Sequence, residues 1–352
     1  MATAVPRGER GRPDGAGTGA LGEDQLVGLL RTLLSGPAPG VALGAGDDAA
    51  LVQIGSHLIV LTADMLVDGV HFERERVSAH DLGHKALTVN VSDVAAMGGS
   101  PRFALVSLGL PDDVASNWVV ELYGGLRDAA AEYAVAVVGG DTTRADRVVI
   151  SVALTGEVAA GRAVTRAGAR PGDRVCVTGS LGAAAGGLCL SHASPAEVAS
   201  ALSAEWGREL LAALDRPVAR VGEGQTLAAA GATAMMDVSD GLALDLSRLC
   251  RESGVGAAVR PADVPVAASL HGLERQAGVR PLDLALGGGD DYELLATLPS
   301  GAVDGVAAQL RERFGTPLTE IGEVRLEPGL VAVEADGSER PLEPAGWDPF
   351  GG

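Results

Sequence analysis

Cysteine is rare in this sequence. Cys176, Cys189 and Cys250 lie far apart without a CxxC pair, which excludes a disulfide framework and a cysteine zinc site and predicts buried free thiols in a reducing compartment. No apolar run approaches the roughly 20 residues of a membrane span. The first twenty residues lack the apolar core of a secretory signal, so a cytoplasmic protein is expected. Positive charge is also short: 27 Lys and Arg against 46 Asp and Glu leave a formal charge of -19. That balance argues against nucleic acid or an anionic membrane as the main partner, because both attract basic patches. Aromatic residues are sparse as well, with three Trp, three Tyr and four Phe.

What the chain does have is length, apolar content and acids set among glycines. At 352 residues and 47% hydrophobic composition it can bury a full core, and two domains are expected. Residues 1–22 are rich in Gly, Arg and Ala without periodicity and read as a disordered tail. A helix is predicted over 23–34, stopped at 35–37, then strands over 49–54 and 58–63. Ser78 caps a helix over 78–97 whose apolar stripe also carries Lys85, Asn90 and Asp93. A strand over 102–110, a helix over 116–133, a strand over 134–138 and a strand over 147–158 complete a first unit, 23–158. A Gly, Arg and Pro-rich stretch at 159–172 marks the boundary. The second unit, 159–352, opens with a strand at 173–178 and, over 179–190, a glycine turn feeding a helix; its GSLGAAAGG lacks the Lys-Ser or Lys-Thr of a P-loop. Helices over 195–214, 222–230, 242–253 and 303–314 and strands over 233–236, 292–298, 320–324 and 330–334 follow. The fold class is α/β (α+β).

The acids recur in comparable places. Asp47 and Asp48 follow a glycine turn, and Asp64 follows the apolar run Leu58 to Leu61, reading as an acid at the carboxyl end of a buried strand, where open α/β sheets place ligands. Asp93 lies in NVSDVAAMGG, Asp141 in VVGGDTTR, Asp237 and Asp240 in MMDVSDG, and Asp290 and Asp291 in LGGGDDYEL. Any one of these is equally well a solvated turn, and Ser239 or Asp240 equally well a helix cap. If Asp48, Asp64, Asp93, Asp141, Asp237 and Asp240 converge, each pair about 4 Å apart repels by about 4 kcal/mol at an effective dielectric near 20. Several Mg²⁺ ions resolve that conflict, because Mg²⁺ takes oxygen ligands and bridges carboxylates to phosphates. Zinc does not, since the recurring candidates are carboxylates with no Cys or His among them. Arg144, Arg162 and Arg166, near the junction loops, are candidate cationic clamps for phosphate oxygens or surface charges.

These stretches carry a resemblance. GAGDDAAL, TADMLVDGVHF, KALTVNVSDVAAMGG, VVGGDTTR, GRAVTRAGARPGD, MDVSDGLALDL, GGGDDYELL and a terminal GWDPF occur in the order found in thiamine-monophosphate kinases. That family shares a superfamily with aminoimidazole ribonucleotide synthetase, selenophosphate synthetase and the hydrogenase-maturation dehydratase. The resemblance covers about 23–350.

It implies a two-domain, aminoimidazole ribonucleotide synthetase-like fold whose first domain holds ATP and Mg²⁺ and pairs through strands in a homodimer. The second domain completes the cleft. The implied activity is direct, in-line transfer of the ATP γ-phosphoryl group to thiamine monophosphate. Asp48, Thr62, Asp64, Asp93, Asp141, Asp237 and Asp240 would hold Mg²⁺. Tyr123, Gly140, Asp141, Arg166 and Ser239 would meet ATP. His71, Asp290 and Trp347 would meet the thiamine substrate, with Asp290 standing where many relatives carry Glu. Independently of the resemblance, a ring in the Gly-Trp-Asp-Pro-Phe tail could stack on a cationic or heteroaromatic ligand or anchor the tail on the core. Selenophosphate synthetase is disfavoured because no cysteine precedes Cys176, and the maturation dehydratase because the sequence ends without one. An aminoimidazole ribonucleotide synthetase-like enzyme and a catalytically silent binding protein are the other readings.

Overall fold

The computed structural model describes residues 22–349 apart from positions 35, 37 and 160. The expected tail therefore lies outside the described residues up to position 21, as do much of the helix stop at 35–37 and Phe350. One compact unit joins the described residues up to Gly36 with Asp348 and Pro349, and a second runs from Pro37 to Trp347. In the small unit, helix α1 (Glu23–Leu34) has the expected bounds, and the Glu23 N–H donates to the Asp348 carboxylate at 3.2 and 3.3 Å.

The large unit contains two sheets. The first half is β1 (Val41–Leu43), β2 (Ala50–Ile54), β3 (His57–Val67), α2 (Ala79–Ala96), β4 (Ser100–Leu110), α3 (Ser116–Glu132), β5 (Ala136–Arg144) and β6 (Val149–Val158). Its strands are ordered β1-β2-β3-β6-β4-β5, with β4 and β5 parallel and β6 antiparallel to both β3 and β4. Alternation decides the faces. Leu58, Val60 and Leu66 of β3 and Ala104, Val106 and Leu108 of β4 are buried with α2 and α3, whereas Leu61, Met65, Phe103 and Leu105 are exposed on the other face.

The second half contains β7 (Arg174–Thr178), α4 (Ala183–Ser191), α5 (Pro195–Leu202), α6 (Glu205–Asp215), α7 (Val221–Ala229), β8 (Ala234–Val238), α8 (Leu242–Ser253), β9 (Gly256–Val259), α9 (Leu270–Ala277), α10 (Pro281–Gly287), β10 (Glu293–Leu298), α11 (Val303–Phe314), β11 (Leu318–Arg325), β12 (Gly329–Val333) and β13 (Glu339–Pro341). Its sheet runs β13-β12-β9-β11-β7-β10-β8, antiparallel except for β12 with β9.

Helix α2 is buried along most of its length because it is covered from both halves. Ser78 caps it, accepting from the Asp81 N–H at 3.0 Å. Glycine lets α3 come close: a Cβ on Gly83 would lie 1.9 Å from the Leu122 carbonyl oxygen. At its other end Ala96 joins Leu227, Met235 and Leu294 in a core of the second half.

Several expectations change. Strand β3 continues to Val67, paired throughout with β6, so Asp64 sits inside a strand and not at its carboxyl end. Strand β5 likewise runs through Gly139-Gly140-Asp141 to Arg144 because the ladder with β4 continues. The helix expected over 195–214 breaks between α5 and α6, where Ser203 and Ala204 close one helix before Glu205 opens the next. Strands β1, β9 and β13 and helices α9 and α10 are additions, most of them short. The three thiols are free, and Cys189 is exposed on the outer side of α4 while Cys176 and Cys250 are buried. Among the described residues, no helix is long and apolar enough to cross a membrane.

Candidate active site

An acidic centre forms where α2, the loop before β2 and the end of β8 meet. Carboxylate oxygens of Asp48, Asp93 and Asp237 lie within 4.8 Å of one another. Each arrives for a local reason. The Gly44 to Asp48 turn is held by Asp47, whose carboxylate accepts from the N–H groups of Asp48 at 3.0 Å and Arg166 at 3.1 Å. Asp93 is one position along the buried helix from Ser92, whose hydroxyl donates to Asp237. Asp237 lies in β8, fixed by pairing of Asp237 with Leu294 of β10.

Thr62 and Asp64 reach the centre from β3. The Thr62 hydroxyl donates to Asp93, and the Asp64 N–H donates to the Asn90 carboxamide oxygen at 3.0 Å. Burial first, and then the charges of Asp64, Asp237 and Asp48, push the Asp93 carboxyl well above its usual range. Burial and Asp48 do the same to Asp237. Burial and Asp48 hold Asp47 at about 6. The counter-charge is Arg166, which reaches Asp48 Oδ1 from the interdomain loop with its Nε at 3.2 Å. The other oxygen of that carboxylate, Asp48 Oδ2, is buried without a hydrogen-bond partner.

Beside this centre the loop 239–241 is tied down by Asp245, a residue the sequence reading passed over. Its carboxylate accepts from the N–H groups of Ser239, Asp240 and Gly241 at 3.0–3.2 Å. Gly241 is the N-cap residue of α8 and no side chain caps it, so neither Ser239 nor Asp240 serves as the expected cap. Arg248 bonds both Asp240 and Asp245. Burial, with Asp240 nearby, pushes Asp245 up to about 7. The signal for Asp245 was its place in the first turn of a helix directly after MDVSDG, which reads as ordinary helix-dipole chemistry.

The remaining candidates fall in two groups. His71, Asp290 and Trp347 are gathered: the His71 and Trp347 rings stand 5.4 Å apart in an edge-on arrangement, and the Trp347 backbone N–H donates to the Asp240 carbonyl at 2.9 Å. Trp347 is 41% exposed, so its ring is partly covered beside His71 and partly open to solvent. Asp290 receives Lys85 Nζ at 2.8 Å and the Tyr292 hydroxyl at 2.9 Å.

Gly140, Asp141 and Tyr123 stand apart from the acidic centre. Register places Gly140 level with Val106, Val152 and Asp64 across three strand steps, about 14 Å. Asp141 pairs with Ser107, one residue further along, so its side chain leaves the sheet on the face opposite Asp64. A Cβ at Gly140 would lie 1.7 Å from the Val106 carbonyl oxygen, a packing reason for that glycine. Tyr123 is exposed on α3. Of the three candidate arginine clamps, Arg166 alone reaches the centre; Arg144 pairs with Asp112 and Arg162 is exposed.

The two halves match the N-terminal and C-terminal domains of AIR synthase related proteins, over residues 46–158 and 170–333 respectively. Together with the two sheets and the acidic centre between them, this defines a protein of the AIR synthase-related class. The thiamine-monophosphate kinase of Aquifex aeolicus is 37% identical over 94% of this chain and 98% of its own, and that of Escherichia coli K12 is 36% identical over 94% and 99%. A solved structure described as AaThiL complexed with AMPPCP and TMP superposes with a TM-score of 0.78 at 36% identity, covering 94% of this chain and 97% of that one. The chain belongs to the thiamine-monophosphate kinase family and is a phosphotransferase.

Proposed function

We propose that this protein transfers the γ-phosphoryl group of ATP to thiamine monophosphate, yielding thiamine diphosphate and ADP. The observation that carries the reading is the convergence of Asp48, Asp93 and Asp237 around an unpartnered buried oxygen, with Arg166 alongside. A neighbour with the same fold is described as complexed with an ATP analogue and TMP.

The donors fit Mg²⁺. They are oxygens only, they are already close, and their mutual repulsion favours a hard divalent cation over bare carboxylates. Asp48, Asp93 and Asp237 would hold it, with Thr62, Asp64 and Asp240 at the margins of the same centre. At those ligands Mg²⁺ would supply neutralisation of phosphate oxygens. The chain's own groups supply the positioning. Arg166 presents a fixed cation where the transferred group must lie, and Ser239 sits on the loop that Asp245 orders. His71, Asp290 and Trp347 receive the thiamine substrate, the exposed indole offering a face to a cationic or heteroaromatic ring. Gly140, Asp141 and Tyr123 are proposed to meet ATP outside the acidic centre, from which β4 and β6 separate Gly140 and Asp141 within one chain. Transfer is read as direct and in line, with no phosphoenzyme. In this reading 23–158 binds ATP and Mg²⁺ and 159–352 completes the cleft. The exposed apolar face of the first sheet pairs with a second copy, and the enzyme works in the cytoplasm.

The test is a coupled ADP assay with ATP, Mg²⁺ and thiamine monophosphate, with product identified by chromatography. Substrate-dependent ADP release is expected. Asp93→Asn should lose at least about 100-fold in kcat while its circular dichroism and melting stay native, because it removes a ligand oxygen and not core volume. Substrate-independent or metal-independent turnover would overturn the reading.

A further inference from the structure

Lys85 projects from α2 with its side chain 6% exposed. Its ammonium donates to Asp290 Oδ2 at 2.8 Å and to the Leu214 carbonyl at 3.0 Å, while the Tyr292 hydroxyl holds Asp290 Oδ1 at 2.9 Å. Both oxygens of one carboxylate are thus gripped from different elements. The backbone around it is unusual for non-glycine residues: Asp290 has φ 67° and Tyr292 φ 51°. Such conformations persist where the surroundings over-determine them. Here the Asp290 N–H donates to the Ser239 carbonyl at 2.7 Å and the Tyr292 N–H to the Val238 carbonyl at 2.8 Å.

The same helix reaches the acidic centre. Lys85 and Ser92 are seven residues apart, two helical turns, so they share a face and lie about 10 Å apart along the axis. Ser92 bonds Asp237, and Lys85 bonds Asp290. Helix α2 therefore pins two points of the second half, one in the acidic centre and one beside His71. The His71 imidazole lies close enough to feel both Asp290 and Lys85, although burial is the larger influence lowering its pKa.

We infer that Lys85 is a positioning residue for the phosphoryl acceptor: it sets the Asp290 carboxylate at a fixed distance from the Asp48–Asp93–Asp237 centre, and Tyr292 fixes that carboxylate's rotation. This rests on the reading that Asp290 contacts thiamine monophosphate. The left-handed backbone and the two side-chain bonds define where the Asp290 carboxylate ends.

The experiment compares steady-state kinetics of wild type, Lys85→Met, Lys85→Arg and Tyr292→Phe, with thermal melting of each. Lys85→Met is expected to raise KM for thiamine monophosphate at least about tenfold while KM for ATP stays within about twofold. Lys85→Arg should recover most of that loss, and Asp290→Asn combined with Lys85→Met should add little further. If Lys85→Met does not fold, Tyr292→Phe carries the test, with an acceptor KM raised about threefold or more. A folded Lys85→Met enzyme with unchanged acceptor KM, or with both KM values raised equally, overturns the inference. A wild type without acceptor-dependent turnover instead overturns the proposed function, and the two failures are separable.

Discussion

Asp48 Oδ2, buried and without a partner, is a residue-scale cost that a folded protein keeps only for a reason. Around it, Asp93 and Asp237 are held well above the usual carboxylate range, Asp47 at about 6 and Asp245 at about 7. An acid whose folded pKa lies above its ordinary 3.8 binds more protons in the folded than in the unfolded state between those values. Stability contributed by its neutral form is present at low pH and is lost as pH rises from about 4 through 6–7 and beyond. In EDTA the protein should therefore melt at a lower temperature at pH 8 than at pH 5.5. Mg²⁺ should restore the melting temperature more strongly at pH 8, where the carboxylates are free of protons. Calorimetry across the two pH values with and without Mg²⁺ checks this, and an EDTA melting temperature that rises with pH would contradict the assigned cause.

At the scale of elements, α2 matters most, because it supplies Lys85, Asn90, Ser92 and Asp93 while being enclosed by both halves. Its closeness to α3 depends on Gly83. Gly83→Ala should push the helices apart against the Leu122 backbone and destabilise by about 1–3 kcal/mol, read as a lower urea midpoint at unchanged slope.

The sequence made this helix legible: Ser78 caps it and Gly98-Gly99 closes it, both local signals. Its polar stripe residues were legible as groups needing partners, but not which partners. The lengths of β3 and β5 were not legible, because the pairing that carries them past Ala63 and Val138 comes from distant β6 and β4. Asp245 was missed because its three N–H donors are created by a loop shape that periodicity does not reveal.

At the scale of the whole molecule, the first sheet has α2 and α3 on one face and exposed Met65, Phe103, Leu105 and Val138 away from the core. Apolar side chains in such a patch are a common mark of association, and the proposed homodimer uses it. Sedimentation equilibrium should give a dimer for the wild type and mostly monomer for Leu105→Lys, a substitution that leaves the core untouched. A monomeric wild type would remove the dimer from the proposal.

Which residue types carry the chemistry was written in the chain itself. Glycine beside aspartate, repeated through both halves with no cysteine or histidine in the pattern, restricts the site to oxygen chemistry wherever it forms. Which of those aspartates meet was decided by tertiary structure. Asp48, Asp93 and Asp237 converge because a helix enclosed by both halves brings Asp93 to a turn and a strand end. Asp141 stays outside because one residue of strand register turns its side chain to the opposite face. Sequence spacing reports local turns and periods, whereas convergence and facing depend on pairings between segments far apart in the chain.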